Sequence, residues 1–127
     1  ALLESPASDA RVVLVDIHAE ATSEKVALGW YLDGRVSAVM GTHTHVGTVD
    51  ARVLPQGTGY ISDVGMVGPR DSVIGSTIQD VLDRFLTQTP RRLNVAKGPM
   101  IFNSVMVDID ESTGKCTQII RVDREAT

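Results

Sequence analysis

Three histidines are the residues of this sequence with the clearest potential for chemistry. His18 follows the apolar run Arg11–Ile17, and His43 and His45 come shortly after the second apolar run Val36–Met40. The 127 residues contain no other histidine. Because neutral imidazole is a good ligand for divalent transition metals, the pattern predicts a metal site built from these three side chains.

The segments that must position the histidines read as a strand, a helix and a strand. Both apolar runs have the length and continuity of strands buried in a parallel sheet. Between them, Thr22 or Ser23 is a candidate helix cap and Gly34 a candidate helix stop. A βαβ unit with a right-handed crossover is therefore expected. Ligand sites in parallel sheets lie beyond the carboxyl ends of the strands, which places all three histidines at one edge.

The spacing of His43 and His45 leaves several interpretations open. On an extended segment, residues at i and i+2 point to the same side, so the pair can share one ion or contact two adjacent ions. Together with His18 it could instead form a mononuclear zinc site with an open water position. A third interpretation is a non-catalytic binding or scaffolding module in which the histidines are incidental. Asp16 is expected to cap the segment or to orient a histidine ligand without contacting the metal itself, and Asp63 is expected to cap a turn.

Composition restricts the class of protein. Hydrophobic residues make up 43% of the chain and charged residues 22%, as in ordinary globular domains. The net charge of −4 argues against non-specific binding to duplex nucleic acid. Cys116 is the single cysteine, and no apolar run approaches the roughly 18 residues that span a membrane. We therefore expect a cytoplasmic protein without a membrane partner.

The remainder of the chain predicts short strands, one further helix and a terminal hairpin. The helix is expected to begin at Ser76 or Thr77 and to end at Pro90. Glu111–Gly114 is predicted to be the hairpin turn. The other predicted segments are a helix end and loop over 1–10, strands at 52–54, 58–61, 92–96, 100–110 and 115–123, and a loop around 65–69.

Several longer motifs resemble those of the YmdB-type bacterial metallophosphoesterases, a branch of the calcineurin-like phosphoesterase superfamily. They are Asp16–Lys25, Gly29–Val39, Gly41–Val46 and Tyr60–Met66, followed by Gly68-Pro69 and Asp71-Ser72. The resemblance implies an α/β fold, namely part of an α/β/β/α sandwich in which the βαβ unit is followed by a mixed or antiparallel sheet and the hairpin. It also implies a dinuclear iron or manganese centre, with zinc as a further option, that hydrolyses cyclic nucleotides such as 2′,3′-cyclic nucleotides.

The same resemblance assigns the histidines. His18 and His43 match the residues that hold one metal, and His45 matches the ligand of its neighbour. No residue of this chain matches a catalytic proton donor or a cofactor-binding position of the family, and the family's carboxylate and asparagine ligands have no counterpart either. We therefore expect residues 1–127 to be a single partial domain, the C-terminal half of a metallophosphoesterase domain. Its expected partners are the missing N-terminal half, a small phosphodiester substrate and further copies of itself.

Overall fold

The structure is a computed structural model and describes residues 9–126. The helix end predicted at the start of the chain lies largely outside this range. The described residues adopt a mixed α/β architecture, as expected. In chain order the elements are β1 (Leu14–His18), α1 (Thr22–Leu32), β2 (Ala38–Thr42), β3 (Arg52–Val53), β4 (Gly59–Ile61), β5 (Val67–Pro69), α2 (Ile78–Thr87), β6 (Met100–Phe102), β7 (Val105–Ile109), β8 (Cys116–Arg121) and β9 (Arg124–Ala126).

A four-stranded sheet in the order β1-β2-β4-β3 carries the predicted βαβ unit. Strands β1 and β2 run parallel, as do β2 and β4, whereas β3 pairs antiparallel with β4. The register places His18 beside Thr42, so the two strands end level with one another. The carboxyl ends of β1 and β2 therefore meet at one edge, which confirms the topology predicted from the apolar runs.

Helix α1 forms where it was predicted, and its buried face includes a lysine. It begins at Thr22, one residue after the N-cap Ala21, so neither Thr22 nor Ser23 occupies the cap position. Its buried residues are Lys25, Gly29 and Leu32. A side chain at Gly29 would collide with the Tyr60 ring, since an ideal Cβ there lies 2.5 Å from Cδ2 of that ring. The absence of a side chain at this position thus lets the helix approach the sheet closely.

The second half of the chain forms two small antiparallel sheets. Strands β5, β6 and β9 make one, and the predicted hairpin makes the other as β7 paired with β8. The turn between β7 and β8 contains Gly114 with φ +72°, the left-handed conformation that favours glycine. Residues of this hairpin, Cys116 and Ile119, pack with Ile61 of β4 in a second core cluster.

Three predicted segments differ from the structure. Residues 92–96 do not form a strand, and only an isolated bridge joins Val95 to Ser76. The predicted strand 100–110 is divided between β6 and β7, which belong to different sheets. Residues 67–69, predicted to lie in a loop, form β5. Apolar periodicity reports how well a segment suits a strand but not whether a partner strand lies beside it.

None of the helices within residues 9–126 combines the length and the apolar character needed to cross a membrane.

Candidate metal centre

His18 is held by a relay of two side chains. Its Nδ1 atom lies 3.1 Å from the Thr42 hydroxyl, which in turn donates a hydrogen bond of 3.0 Å to Oδ1 of Asp16. An ionised carboxylate can only accept, so the hydroxyl hydrogen belongs to the bond with Asp16 and the oxygen accepts from Nδ1–H of His18. This arrangement leaves the lone pair of His18 on Nε2, and Asp16 orients the imidazole only through Thr42.

His43 brings a second ring nitrogen to the same point. Its Nδ1 atom lies 3.1 Å from Nε2 of His18, and the two rings are nearly perpendicular with centroids 4.9 Å apart. Two nitrogens that are each about 2.1 Å from one ion are about 3 Å apart when they subtend roughly 90° at it. The donor set of His18 and His43 therefore fits a shared divalent cation.

His45 lies at the same edge but turns to a different neighbour. Its Nδ1 atom donates to the carbonyl oxygen of Ile74 at 2.9 Å, which leaves Nε2 as the nitrogen with a free lone pair. The expectation that His43 and His45 point to the same side assumed an extended segment, and that premise is wrong. The φ angles of these residues are +118° and +63°, so the segment is not extended, and the two rings contact different partners, His18 and the carbonyl group of Ile74.

The different partners of the histidines bear on how a metal could be held. Within residues 9–126 there is no group of three or more histidine, cysteine, aspartate or glutamate side chains arranged to hold a metal. His18 and His43 form one pair of donors, and His45 contacts the carbonyl oxygen of Ile74 instead. Among the described residues, the three histidines thus do not form a single ready-made ligand set.

A buried ion pair lies beneath the histidine loop. Nζ of Lys25 is 2.9 Å from Oδ2 of Asp63, and each side chain is only 1% exposed. The same carboxylate accepts hydrogen bonds from the backbone N–H groups of Thr44 and Gly65, each at 2.9 Å. Burial raises the pKa of Asp63, but the hydrogen bonds from Lys25, Thr44 and Gly65 outweigh it and leave that pKa below its ordinary value. The bond between Oδ1 of Asp63 and the N–H of Gly65, two residues on, is the turn expected around Asp63. Through Thr44, the same carboxylate also contacts the histidine loop.

An open cleft of about 530 Å³ adjoins His45. Its apolar wall includes Val46, Met66, Ile74 and Ile101. This volume is in the range of small-molecule sites, and the free Nε2 of His45 belongs to a ring that lines it.

The sequence profile of the YmdB-like protein family matches residues 1–122 of this chain. The chain belongs to the YmdB-like family. This confirms the resemblance read from the motifs around the three histidines.

Relatives of this YmdB-like chain include both an enzyme and solved structures. A 2′,3′-cyclic-nucleotide 2′-phosphodiesterase of Bacillus subtilis (strain 168) is 50% identical over 121 residues, which cover 95% of this chain and 46% of the relative. The crystal structure of a hypothetical protein from Thermus thermophilus superposes with a TM-score of 0.90 at 46% identity, over 99% of this chain and 48% of that one. A phosphatase of Mycoplasma pneumoniae superposes with a TM-score of 0.87 at 37% identity, over 91% and 41%. The chain thus spans about half the length of these relatives.

Sequence reasoning missed three contributors to this YmdB-like site. No local pattern indicated that Lys25 would be buried, because a lysine on a helix usually faces solvent. Thr42 was overlooked although the parallel pairing of β1 with β2 makes it the neighbour of His18. Ile74 contributes a backbone atom, and no side-chain pattern reveals such a partner.

Proposed function

We propose that this chain is part of a metal-dependent phosphodiesterase that hydrolyses cyclic nucleotides such as 2′,3′-cyclic nucleotides. The single observation that carries the proposal is the convergence of Nε2 of His18 and Nδ1 of His43 at 3.1 Å. The name of the Bacillus subtilis relative, a 2′,3′-cyclic-nucleotide 2′-phosphodiesterase, supports the substrate class. A cytoplasmic location is proposed with it.

In this proposal His18 and His43 hold one divalent cation and His45 holds its neighbour. Iron or manganese is the proposed metal, with zinc as a further candidate. When bound, two such cations supply the positive charge that stabilises a phosphoryl group during transfer. The protein's own contribution is to orient the imidazoles, through the Asp16–Thr42 relay for His18 and through the carbonyl of Ile74 for His45. The cleft beside His45 is the proposed approach for the substrate.

The proposal also requires a second half for the site. Neutral histidines cannot offset the charge of two divalent cations, so carboxylate ligands must come from elsewhere. Strand β1 forms one edge of its sheet, and Leu14, Asp16 and His18 on one of its faces are exposed. Parallel strands are normally covered on both faces, which supports an additional layer at this position. We propose that this layer comes from the remaining half of a calcineurin-like sandwich, with residues 1–127 as its C-terminal part.

The test compares two proteins, the 127-residue chain and a full-length polypeptide that adds the remaining length of its relatives. Metal content and hydrolysis of 2′,3′-cyclic AMP are measured on both. We expect two metal ions per full-length polypeptide together with hydrolysis, and weak or absent hydrolysis by the 127-residue chain. In the full-length protein, the H43A/H45A double variant should lose both metal and activity.

Two outcomes would contradict the proposal in different ways. One zinc ion per 127-residue chain, with full activity, would establish the mononuclear site instead. Unchanged metal content and activity in the H43A/H45A variant would show that the histidines are incidental, as in a binding module. The oligomeric state follows from sedimentation of the same samples: the exposed side chains of Phe85 and Leu86 lead us to expect a homo-oligomer.

A further inference from the structure

The loop that carries His43 and His45 has a backbone conformation that must be imposed from outside. Both histidines have positive φ angles, +118° and +63°, in a region that residues with a Cβ atom adopt at a cost. A strained conformation of this kind persists only where surrounding contacts enforce it. The contacts that do so must therefore be found around residues 42–48.

Asp63 supplies contacts at the middle and at the end of this loop. Oδ2 of Asp63 accepts from the N–H of Thr44, the residue between the two histidines, at 2.9 Å. The backbone of Asp63 joins Thr48 through the bonds Asp63 N–H to Thr48 Oγ1 and Thr48 N–H to Asp63 O, of 2.9 and 3.0 Å. The loop is thus held between its two histidines and again after them.

Lys25 fixes the carboxylate that makes the central contact. Its ammonium group, 2.9 Å from Oδ2, shares that oxygen with the N–H of Thr44. The aliphatic stem of Lys25 passes beside Gly41, where a Cβ atom would lie 3.0 Å from Cδ of Lys25 and would overlap the carbonyl oxygen of Ser62. Glycine immediately before the histidine loop therefore leaves room for the lysine to reach the carboxylate.

The burial of this pair has no obvious advantage for stability alone. Both side chains are 1% exposed, and removing two charges from water offsets much of their attraction. An apolar pair of similar size would often stabilise a core as well. What an apolar pair cannot do is accept a hydrogen bond from the N–H of Thr44.

We propose that Lys25 and Asp63 are positioning residues for His43 and His45. The carboxylate of Asp63 fixes the peptide between the two histidines, and Lys25 holds that carboxylate in place. Neither residue contacts the metal or the substrate in this proposal. The inference depends on the proposed function, because it concerns the same histidines as metal ligands.

The experiment measures Mn²⁺ affinity and melting temperature on the full-length protein and its variants. D63A removes the acceptor, whereas K25M/D63N removes both charges but keeps an oxygen that can accept from the N–H of Thr44. We expect D63A to bind Mn²⁺ about 10- to 100-fold more weakly, as is typical when the group behind a metal ligand is removed. K25M/D63N should recover most of this affinity, because a neutral amide needs no ammonium group beside it. K25M alone leaves the buried carboxylate without its counter-charge and should lose affinity as D63A does, and full affinity in K25M would exclude a role for Lys25.

T58V is the matched control for destabilisation. Thr58 is fully buried and hydrogen-bonds to the carbonyl of Val36, at the end of the sheet opposite the histidines. We expect T58V to lower the melting temperature without changing Mn²⁺ affinity. Equal loss of affinity in T58V and D63A at equal loss of melting temperature would show that the ion pair is merely structural. Affinity in folded D63A equal to that of the unaltered protein would overturn the proposal outright.

A measurement on the unaltered protein covers the case in which D63A does not fold. Hydrogen exchange of the Thr44 amide should be strongly slowed relative to an unprotected amide, and exchange at the unprotected rate would refute the positioning role. A different result would reject the proposed function, namely no uptake of metal by the unaltered full-length protein. Uptake by the unaltered protein, with no effect of D63A, rejects the positioning role alone.

Discussion

Nε2 of His18 and Nδ1 of His43 lie 3.1 Å apart, although 25 positions separate the two residues in the chain. Two ring nitrogens at this distance either share a proton or share a cation. The Thr42 hydroxyl at Nδ1 of His18 leaves Nε2 of that ring as the acceptor. The hydrogen bond between Thr42 and His18 therefore leaves the lone pair on Nε2, the nitrogen that can bind a cation, whether or not a cation is bound.

Replacement of Thr42 by valine should weaken metal binding by His18. T42V removes the hydroxyl between Asp16 and His18, so the imidazole loses the partner that fixes its orientation. We expect Mn²⁺ affinity of the full-length protein to fall by about 10- to 100-fold. Isothermal titration calorimetry measures the change. T42S keeps the hydroxyl and should behave almost as the unaltered protein does, and equal losses in T42S and T42V would argue against the relay.

An alanine at Gly29 should destabilise the fold despite the higher helix propensity of alanine. The new Cβ atom would lie 2.5 Å from Cδ2 of Tyr60, in a core where that ring is 1% exposed. Overpacking of this kind costs about 1–3 kcal/mol, which exceeds the gain of about 1 kcal/mol in propensity. Urea unfolding of G29A measures the net loss. A27G, at an exposed position of the same helix, should lose only about 1 kcal/mol. A stabilised G29A would show that helix and sheet are not in close contact.

Acid should remove the stabilisation contributed by Asp63. Its pKa in the folded protein is below the ordinary value of 3.8, so the stabilisation is present above that pH and is lost as the pH falls through the lower, folded value. The difference in melting temperature between the unaltered protein and D63N should therefore be constant near neutral pH and shrink below about pH 4. Scanning calorimetry from pH 3 to 7 tests this, and a difference that does not vary with pH would contradict it.

Loss of Arg121 should loosen the contact between the terminal hairpin and the site. Its guanidinium, 19% exposed, donates to the carbonyl oxygens of Thr48 and Val64 at 3.2 and 3.0 Å and forms an ion pair with Asp123. R121M leaves these carbonyl groups without their donor and should cost about 2 kcal/mol in unfolding free energy. R121K should recover only part, because an ammonium cannot reproduce the planar fork.

The matched control for this variant is R70M. Arg70 forms ion pairs with Asp71 and Glu125 at the surface, where the arginine is 45% exposed. Surface pairs contribute little, so the unfolding free energy of R70M should change by less than about 1 kcal/mol. Equal losses in R121M and R70M would show that the buried contacts of Arg121 contribute no more than a surface pair.

Much of the fold followed from local patterns. Continuous apolar runs predicted β1 and β2, candidate cap and stop residues predicted α1 and α2, and the turn before Cys116 predicted the hairpin. The division of residues 100–110 into two strands was not predictable in this way. At the division, the carboxylate of Asp123 accepts from the side chain of Asn103 and the N–H of Ser104, and a partner this distant in the chain leaves no local pattern.

For the site, the sequence determined that three histidines follow two strand ends, because strand periodicity and chain order are local properties. Only the tertiary structure decided which of them meet. His18 reaches His43 through the register of β1 with β2, while His45 turns to Ile74 because the loop bends at positive φ. It also decided that Lys25 is buried against Asp63, 38 positions away. Contacts of this kind depend on how elements pack, and the residue types of one segment do not specify which other segment will lie against it.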